Sequence, residues 1–176
     1  MDNGKLSIVT LPVSDWQEYK ELRLKALRKE PHAFCSTYKK EEAWNDEKWQ
    51  KRLKDVVDGK SWMFFARSGE KLVGMIGVFC DEEDGSSNRV YLWGMYVDKV
   101  YRSRGVARAL ALRIFRELDK VEGVDFVQLG VNEDLVVARG LYESLGFRKL
   151  QTASFVFGDG LSHVVLIMEK LLHQPV

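Results

Sequence analysis

Apolar and polar positions follow two rhythms along this 176-residue chain, and each change of rhythm marks a new element. Leu6 to Val13 reads as a first strand, ended by Pro12 and a Ser14-Asp15 cap. Trp16, Tyr19, Leu22, Ala26 and Leu27 then recur at helical spacing until Pro31 breaks the helix. Asn45-Asp46-Glu47 opens a second helix with Trp49, Leu53 and Val56 inward, and Asp58-Gly59 ends it. Trp62 to Arg67 and Leu72 to Asp81 are strands joined by the hairpin signal Ser68-Gly69-Glu70-Lys71, and Glu82 to Asn88 is a polar loop.

Val90 to Val97 is the fourth strand. The helix after it buries Val106, Leu110, Ile114, Leu118 and Val121, and Gly123 closes it. Val124 to Val131 has little polarity, as a strand near a sheet centre should. Val137, Leu141 and Leu145 mark the last helix, with Gly146 at its end. Gly140 inside that helix costs about 1 kcal/mol relative to Ala, so a close backbone or cofactor approach is expected there. Arg148 to Phe157 and Leu161 to Leu171 form a hairpin around Gly158-Asp159-Gly160. The pattern predicts one mixed α/β domain over residues 1–176, with about seven strands and about four helices.

Composition narrows the function. Lys and Arg number 27 against 26 Asp and Glu, a net charge of +1, so no global field recruits nucleic acid or a membrane surface. The start lacks a secretory apolar core and no apolar run reaches membrane-spanning length, so a cytoplasmic protein is expected. Cys35 and Cys80 stand far apart without metal-ligand neighbours, and no metal is expected.

The chemistry concentrates in Tyr101-Arg102-Ser103-Arg104-Gly105-Val106-Ala107-Arg108. A glycine-containing turn that opens a helix presents unpaired N–H groups and the positive end of the helix dipole, and three arginines add fork-shaped donors. That arrangement predicts capture of a phosphorylated cofactor. Gly-x-x-x-x-Gly-Lys-Ser/Thr and Gly-x-Gly-x-x-Gly are both missing, which argues against a nucleoside triphosphate and a dinucleotide.

Arg102-x-x-Gly105-x-Ala107 resembles the pyrophosphate loop of the GNAT acetyltransferases, Gln/Arg-x-x-Gly-x-Gly/Ala. Trp93-Gly94-Met95-Tyr96-Val97 resembles that family's fourth strand. Leu129-Gly130-Val131-Asn132 with Ala138-x-x-Leu141-Tyr142-x-x-x-Gly146-Phe147 resembles its second motif, and Leu24 to Tyr38 is similar to one subset of its members. The resemblance spans about Leu24 to Phe147 in the family's order. One departure is Leu135, where the family often has Asn; either a side-chain hydrogen bond is lost or Asn132 supplies it.

The resemblance implies a GNAT-like fold, with a central, mostly antiparallel mixed sheet, and acetyl-CoA as acyl donor to an amine acceptor. It implies main-chain contacts to the pantetheine arm from Met95 and Val97, with Tyr96 facing away. It also implies a diphosphate held by Arg102, Ser103, Arg104, Gly105, Val106, Ala107 and Arg108, and Tyr142 as the general acid. A phenol of pKa about 10 is protonated at neutral pH and able to protonate a thiolate of pKa about 8.5. Relatives often form homodimers.

An alkyl amine must lose a proton before it attacks. Glu82, Glu83, Asp84 and Tyr91 lie where relatives place a carboxylate or a water chain, although Glu82 to Asp84 reads first as a solvated acidic loop. His32, His163 and His173 lack informative partners and read as structural or solvated. Phe34, Tyr38 and Trp44 fall between helices and are the expected lining of the acceptor pocket. The leading reading is an N-acetyltransferase. A non-catalytic acyl-CoA-binding module, and an O-acyl or longer-chain acyltransferase, are the alternatives.

Overall fold

A computed structural model describes residues 5–57, 61–80 and 88–172. Seven strands form one sheet: β1 (Leu6–Val9), β2 (Ser61–Ser68), β3 (Lys71–Cys80), β4 (Arg89–Val97), β5 (Phe126–Asn132), β6 (Arg148–Val156) and β7 (Ser162–Leu171). Five helices accompany them: α1 (Trp16–Lys29), α2 (Tyr38–Glu42), α3 (Asp46–Val57), α4 (Val106–Leu118) and α5 (Val136–Ser144). The strand order is β1-β2-β3-β4-β5-β7-β6, and every neighbouring pair is antiparallel except β4 and β5.

Two apolar clusters cover the two faces. One joins Phe64, Ile76 and Val127 of the sheet to Val106, Leu110 and Ile114 of α4 and Tyr142 of α5. The other joins Phe65, Met75 and Tyr96 to Tyr19, Leu22 and Ala26 of α1 and to Trp49 and Leu53 of α3. Strand alternation produces this split: Phe64 and Phe65 are adjacent in sequence and point to opposite sides.

Seven strands agree with the sequence pattern, and their mixed, mostly antiparallel pairing agrees with what the family resemblance implies. Several details do not. The first strand stops at Val9, because Val13–Asp15 already turns as a 3-10 helix behind Pro12. The short helix α2 is a fifth helix that the pattern missed; the Thr37 hydroxyl accepts from the Lys40 N–H at 3.1 Å and caps it. Val137 is exposed rather than part of the α5 core stripe, which runs through Leu141, Tyr142 and Leu145. Nothing lies within 4 Å of where a Cβ on Gly140 would stand, so no backbone approaches it. None of the described helices is long and apolar enough to cross a membrane.

The parallel junction shapes the centre of the molecule. β4 and β5 pair only through Arg89–Phe126, Val90–Val127 and Tyr91–Gln128, although β4 runs on to Val97 and β5 to Asn132. Beyond Tyr91 the two strands separate into a cleft. The register of β4 on β3 slips at the same place, between the pairs Gly77–Trp93 and Met75–Tyr96, and Gly94 adopts φ +67°. That bulge bends β4 away and turns its backbone groups. Trp93, Gly94 and Met95 are consequently half-exposed, although they lie on a central strand.

Candidate active site

The cleft ends at the turn between β4 and α4. A 3-10 turn, Lys99–Tyr101, leads into Ser103 at φ +59° and Gly105 at φ +78°, and α4 begins at Val106. Left-handed backbone is natural for glycine and costs a serine free energy, so Ser103 is held there by its surroundings. The first intrahelical bond is Ala109 N–H to Gly105 C=O at 2.9 Å. Helix geometry leaves the preceding N–H groups without partners, no side chain caps them, and no acid stands in the first turn. Nothing lies within 4 Å of a Cβ built on Gly105. The turn therefore offers clustered donors and the positive helix end to an anion, which suits a diphosphate.

The three arginines do different things. Arg102 donates through Nε to the Val97 carbonyl at 2.8 Å and through Nη2 to Glu30 at 2.6 Å. Its guanidinium thus braces the turn against β4 and α1, where a direct phosphate contact was expected. Arg104 lies over the Tyr101 ring at 5.7 Å, and Arg108 donates to Ser144 Oγ at 3.1 Å, tying the start of α4 to α5. Val106 is buried beneath the turn and Ala107 is half-buried.

The sequence expectation for β4 is refined in the same way. Met95 packs on the α4–α5 cluster and Tyr96 on the opposite one, as alternation requires. The Tyr96 hydroxyl donates to Asp98 at 2.7 Å, and burial together with that carboxylate pushes its pKa well up. The Val97 carbonyl is occupied by Arg102. Pairing to β3 uses one edge of β4, so from Leu92 to Val97 the other edge faces the cleft without β5.

Tyr142 is buried, 6% exposed, in the cluster that holds Met95, Val97 and Val106, with its ring edge-on to Phe147 at 5.7 Å. No described residue hydrogen-bonds its hydroxyl. Burial pushes the phenol well above its usual value, so it is protonated at neutral pH. The Arg108–Ser144 bond places the helix that carries Tyr142 beside the start of α4.

Asn132 is engaged within the fold. Its amide donates to the His32 carbonyl at 3.0 Å and accepts from the Asp134 N–H at 3.0 Å, and the residue is 2% exposed. The side chain ties the α1–α2 connection to the end of β5. Leu135 is the residue preceding α5 and packs against the α4–α5 cluster.

The expected acceptor lining also divides. Phe34 is buried beneath Arg23, whose guanidinium stands 4.9 Å from its ring, and its carbonyl accepts the Gly158 N–H at 2.7 Å. Tyr38 bonds Arg28 and Glu42 and lines a separate surface hollow of about 250 Å³ with Leu24 and Lys29, away from Trp93 and Gly94. Trp44 is half-exposed, packed on Trp49 and stacked by Arg52. Glu82, Glu83 and Asp84 lie outside the described residues, and Tyr91 stacks on Phe79 at 5.6 Å. His163 contacts Asp159 at 2.8 Å; His173 lies outside the described residues. No group of three or more His, Cys, Asp or Glu among the described residues is arranged to hold a metal.

Sequence reasoning missed Arg23 and Glu41. Arg23 donates through Nε and Nη2 to Glu41 at 2.9 and 2.7 Å, and both are almost fully buried. Burial alone would raise the Glu41 pKa, but the hydrogen bonds and charge of Arg23 outweigh it and hold the carboxyl below its usual value. The signal was present in part: Arg23 sits between Leu22 and Ala26 on the inward stripe of α1.

Comparison with known proteins places this geometry. The chain is 34% identical over 104 residues to an N-acetylaspartate synthetase of Xenopus tropicalis, covering 59% of this chain and 36% of that protein. The chain spans less than half the length of the curated relatives it matches. A GNAT-family acetyltransferase from Streptococcus pneumoniae superposes with TM-score 0.82 at 18% identity, covering 95% of this chain and 99% of that one. The PaiA N-acetyltransferase of Thermoplasma acidophilum, in complex with coenzyme A, superposes at 0.72 with 20% identity over 95% and 99% of the two chains. The profile of the acetyltransferase (GNAT) family matches residues 16–147, from the start of α1 through the cleft, the arginine turn and Tyr142 to Phe147, and the chain belongs to that family.

Proposed function

We propose that this protein is an acetyl-CoA-dependent N-acetyltransferase that acetylates a primary amine of a small molecule or protein by direct attack on the thioester. One observation carries the reading: the open edge of β4 runs into the uncapped start of α4 at Gly105, so a slot and an anion site are continuous. A coenzyme A thioester has that shape, a diphosphate followed by an extended amide arm. The complex of the Thermoplasma relative with coenzyme A supports the choice of ligand.

The residues divide the work. N–H groups from Ser103 to Arg108 and the Arg104 and Arg108 side chains hold the diphosphate, and Arg102 fixes the turn on Val97. Backbone groups of β4 beside Met95 and Val97 align the arm, so the thioester lies at the Gly94 bulge. The uncharged amine nitrogen bonds to the acyl carbon and loses one proton to solvent. The carbon–sulfur bond breaks, and Tyr142 gives its proton to the departing thiolate and regains one from solvent. Positioning of this kind supplies much of the acceleration, and a general acid adds a further factor of about 10² to 10⁴.

The test is release of free thiol from acetyl-CoA over a panel of amines. Amine-dependent release supports the reading. Tight binding of acetyl-CoA with no release over any amine would leave a binding module instead. The relatives named N-acetylaspartate synthetase make amino acids a necessary part of that panel.

A further inference from the structure

Arg23 has an Nη1 that the fold does not use. Its other two nitrogens satisfy Glu41, yet among the described residues Nη1 is buried and has no hydrogen-bond partner. An orphaned N–H on a charged group costs more than one on a neutral amide, so a fold that places it so has a reason or a penalty. Its direction is specific. A Cβ built on Gly94 would stand 3.9 Å from Arg23 Nη1 and within 4 Å of nothing else. Gly94 is the bulge of β4, at the open cleft edge where the proposed function puts the thioester.

The charge around it points the same way. The Arg23 guanidinium lies over Phe34 at 4.9 Å and Trp93 at 5.7 Å. Arg52 stacks on Trp93 at 4.7 Å and Trp44 at 4.9 Å, close enough to act on Glu41. Arg23, Arg52 and Lys48, the last 4.3 Å from the Trp44 ring, thus stand on one aromatic wall with the single carboxylate of Glu41, so the described charges there are mostly positive. A further carboxylate is attracted to such a wall.

We infer that Arg23 Nη1, beside the Gly94 bulge, receives the carboxylate of the acceptor, and that the acceptor is an α-amino acid. This rests on the proposed acetyl transfer and deepens it. A carboxylate oxygen about 2.9 Å from Nη1 places the amine, one carbon away, along the open edge beside Gly94 and Met95. The uncharged nitrogen then bonds to the acyl carbon and loses one proton to solvent. The carbon–sulfur bond breaks, and coenzyme A leaves with its thiol protonated by Tyr142. A protein N-terminus or lysine side chain lacks that carboxylate and forfeits the contact.

The test compares each of the twenty L-amino acids with its α-amide, by thiol release from acetyl-CoA and by calorimetric titration of the coenzyme A-loaded protein. The best amino acid should exceed its amide by about tenfold to a hundredfold in both kcat/KM and affinity, with the KM for acetyl-CoA unchanged. Removing Glu41 alone would strand Arg23, so the companion variant is Arg23→Gln with Glu41→Gln, a neutral pair; folded by thermal melt, it should treat acid and amide alike. A carboxylate preference in calorimetry with no thiol release upholds Arg23 as the carboxylate site and overturns acetyl transfer. Equal binding and equal turnover of acid and amide by the unaltered protein overturn the inference while leaving acetyl transfer standing.

Discussion

The Arg102 Nε–H meets the Val97 carbonyl at 2.8 Å, so the turn that offers its amides to an anion is pinned to the last residue of the strand that lines the cleft. One guanidinium sets the distance between the diphosphate site and the slot for the arm, and its second branch reaches Glu30 beyond the end of α1. Arg102→Ala should therefore lose about 1–2 kcal/mol of stability and weaken coenzyme A binding together. Arg104→Ala should weaken binding with little change in stability, since that side chain only overlies Tyr101. Denaturant unfolding beside calorimetry on both variants separates the two roles.

Tyr142→Phe removes a hydroxyl that no described residue hydrogen-bonds, so the fold should tolerate it. Turnover should fall roughly a hundredfold while affinity for coenzyme A holds. Unchanged turnover would take Tyr142 out of the mechanism.

Burial raises the Tyr142 phenol above its unfolded value, as it does for Tyr19 and Tyr96. A group whose folded pKa is raised gives stability that is complete below the unfolded value, about 10, and is lost as pH climbs through the folded one. Alkaline unfolding should thus begin near pH 10 and be shallower in Tyr142→Phe. Circular dichroism from pH 8 to 12 reads both slopes.

Glu41 has the opposite sign. Its carboxyl is held below the usual value, so its contribution is present above about pH 4 and is lost as pH falls through the folded value. Glu41→Ala leaves the buried Arg23 without its counter-charge and should cost about 3 kcal/mol or more at neutral pH. The variant's stability should also fall less steeply below pH 4. Equal acid slopes would mean that Glu41 is not what the acid attacks.

Gly140→Ala should raise stability by about 0.5–1 kcal/mol, because the position is helical and a new Cβ meets nothing within 4 Å. If coenzyme A affinity falls at the same time, the ligand approaches this face of α5. Unchanged affinity would leave the glycine without a binding role.

Much of this was legible in the sequence because the signals are local. Helical spacing from Trp16 to Leu27 and from Val106 to Leu118 marks α1 and α4, and the turn between β4 and α4 carries its arginines and glycine in one short run. Helix α2 escaped because Tyr38–Glu42 is five mostly charged residues whose start depends on one Thr37 cap. The Asn132 bond to the His32 carbonyl could not be read from the sequence, because the two residues are a hundred positions apart. Arg23 went unremarked for the same reason: Glu41, Gly94 and Trp93 reach it only through tertiary packing.

The most direct measurement is calorimetric titration of the protein with coenzyme A, dephospho-coenzyme A and pantetheine. One site per chain, with dephospho-coenzyme A within about tenfold of coenzyme A and pantetheine weaker by about a hundredfold or more, is the expected result, because only the first two carry the diphosphate. Pantetheine binding as tightly as coenzyme A, or no binding by either diphosphate, would contradict a diphosphate site at Gly105.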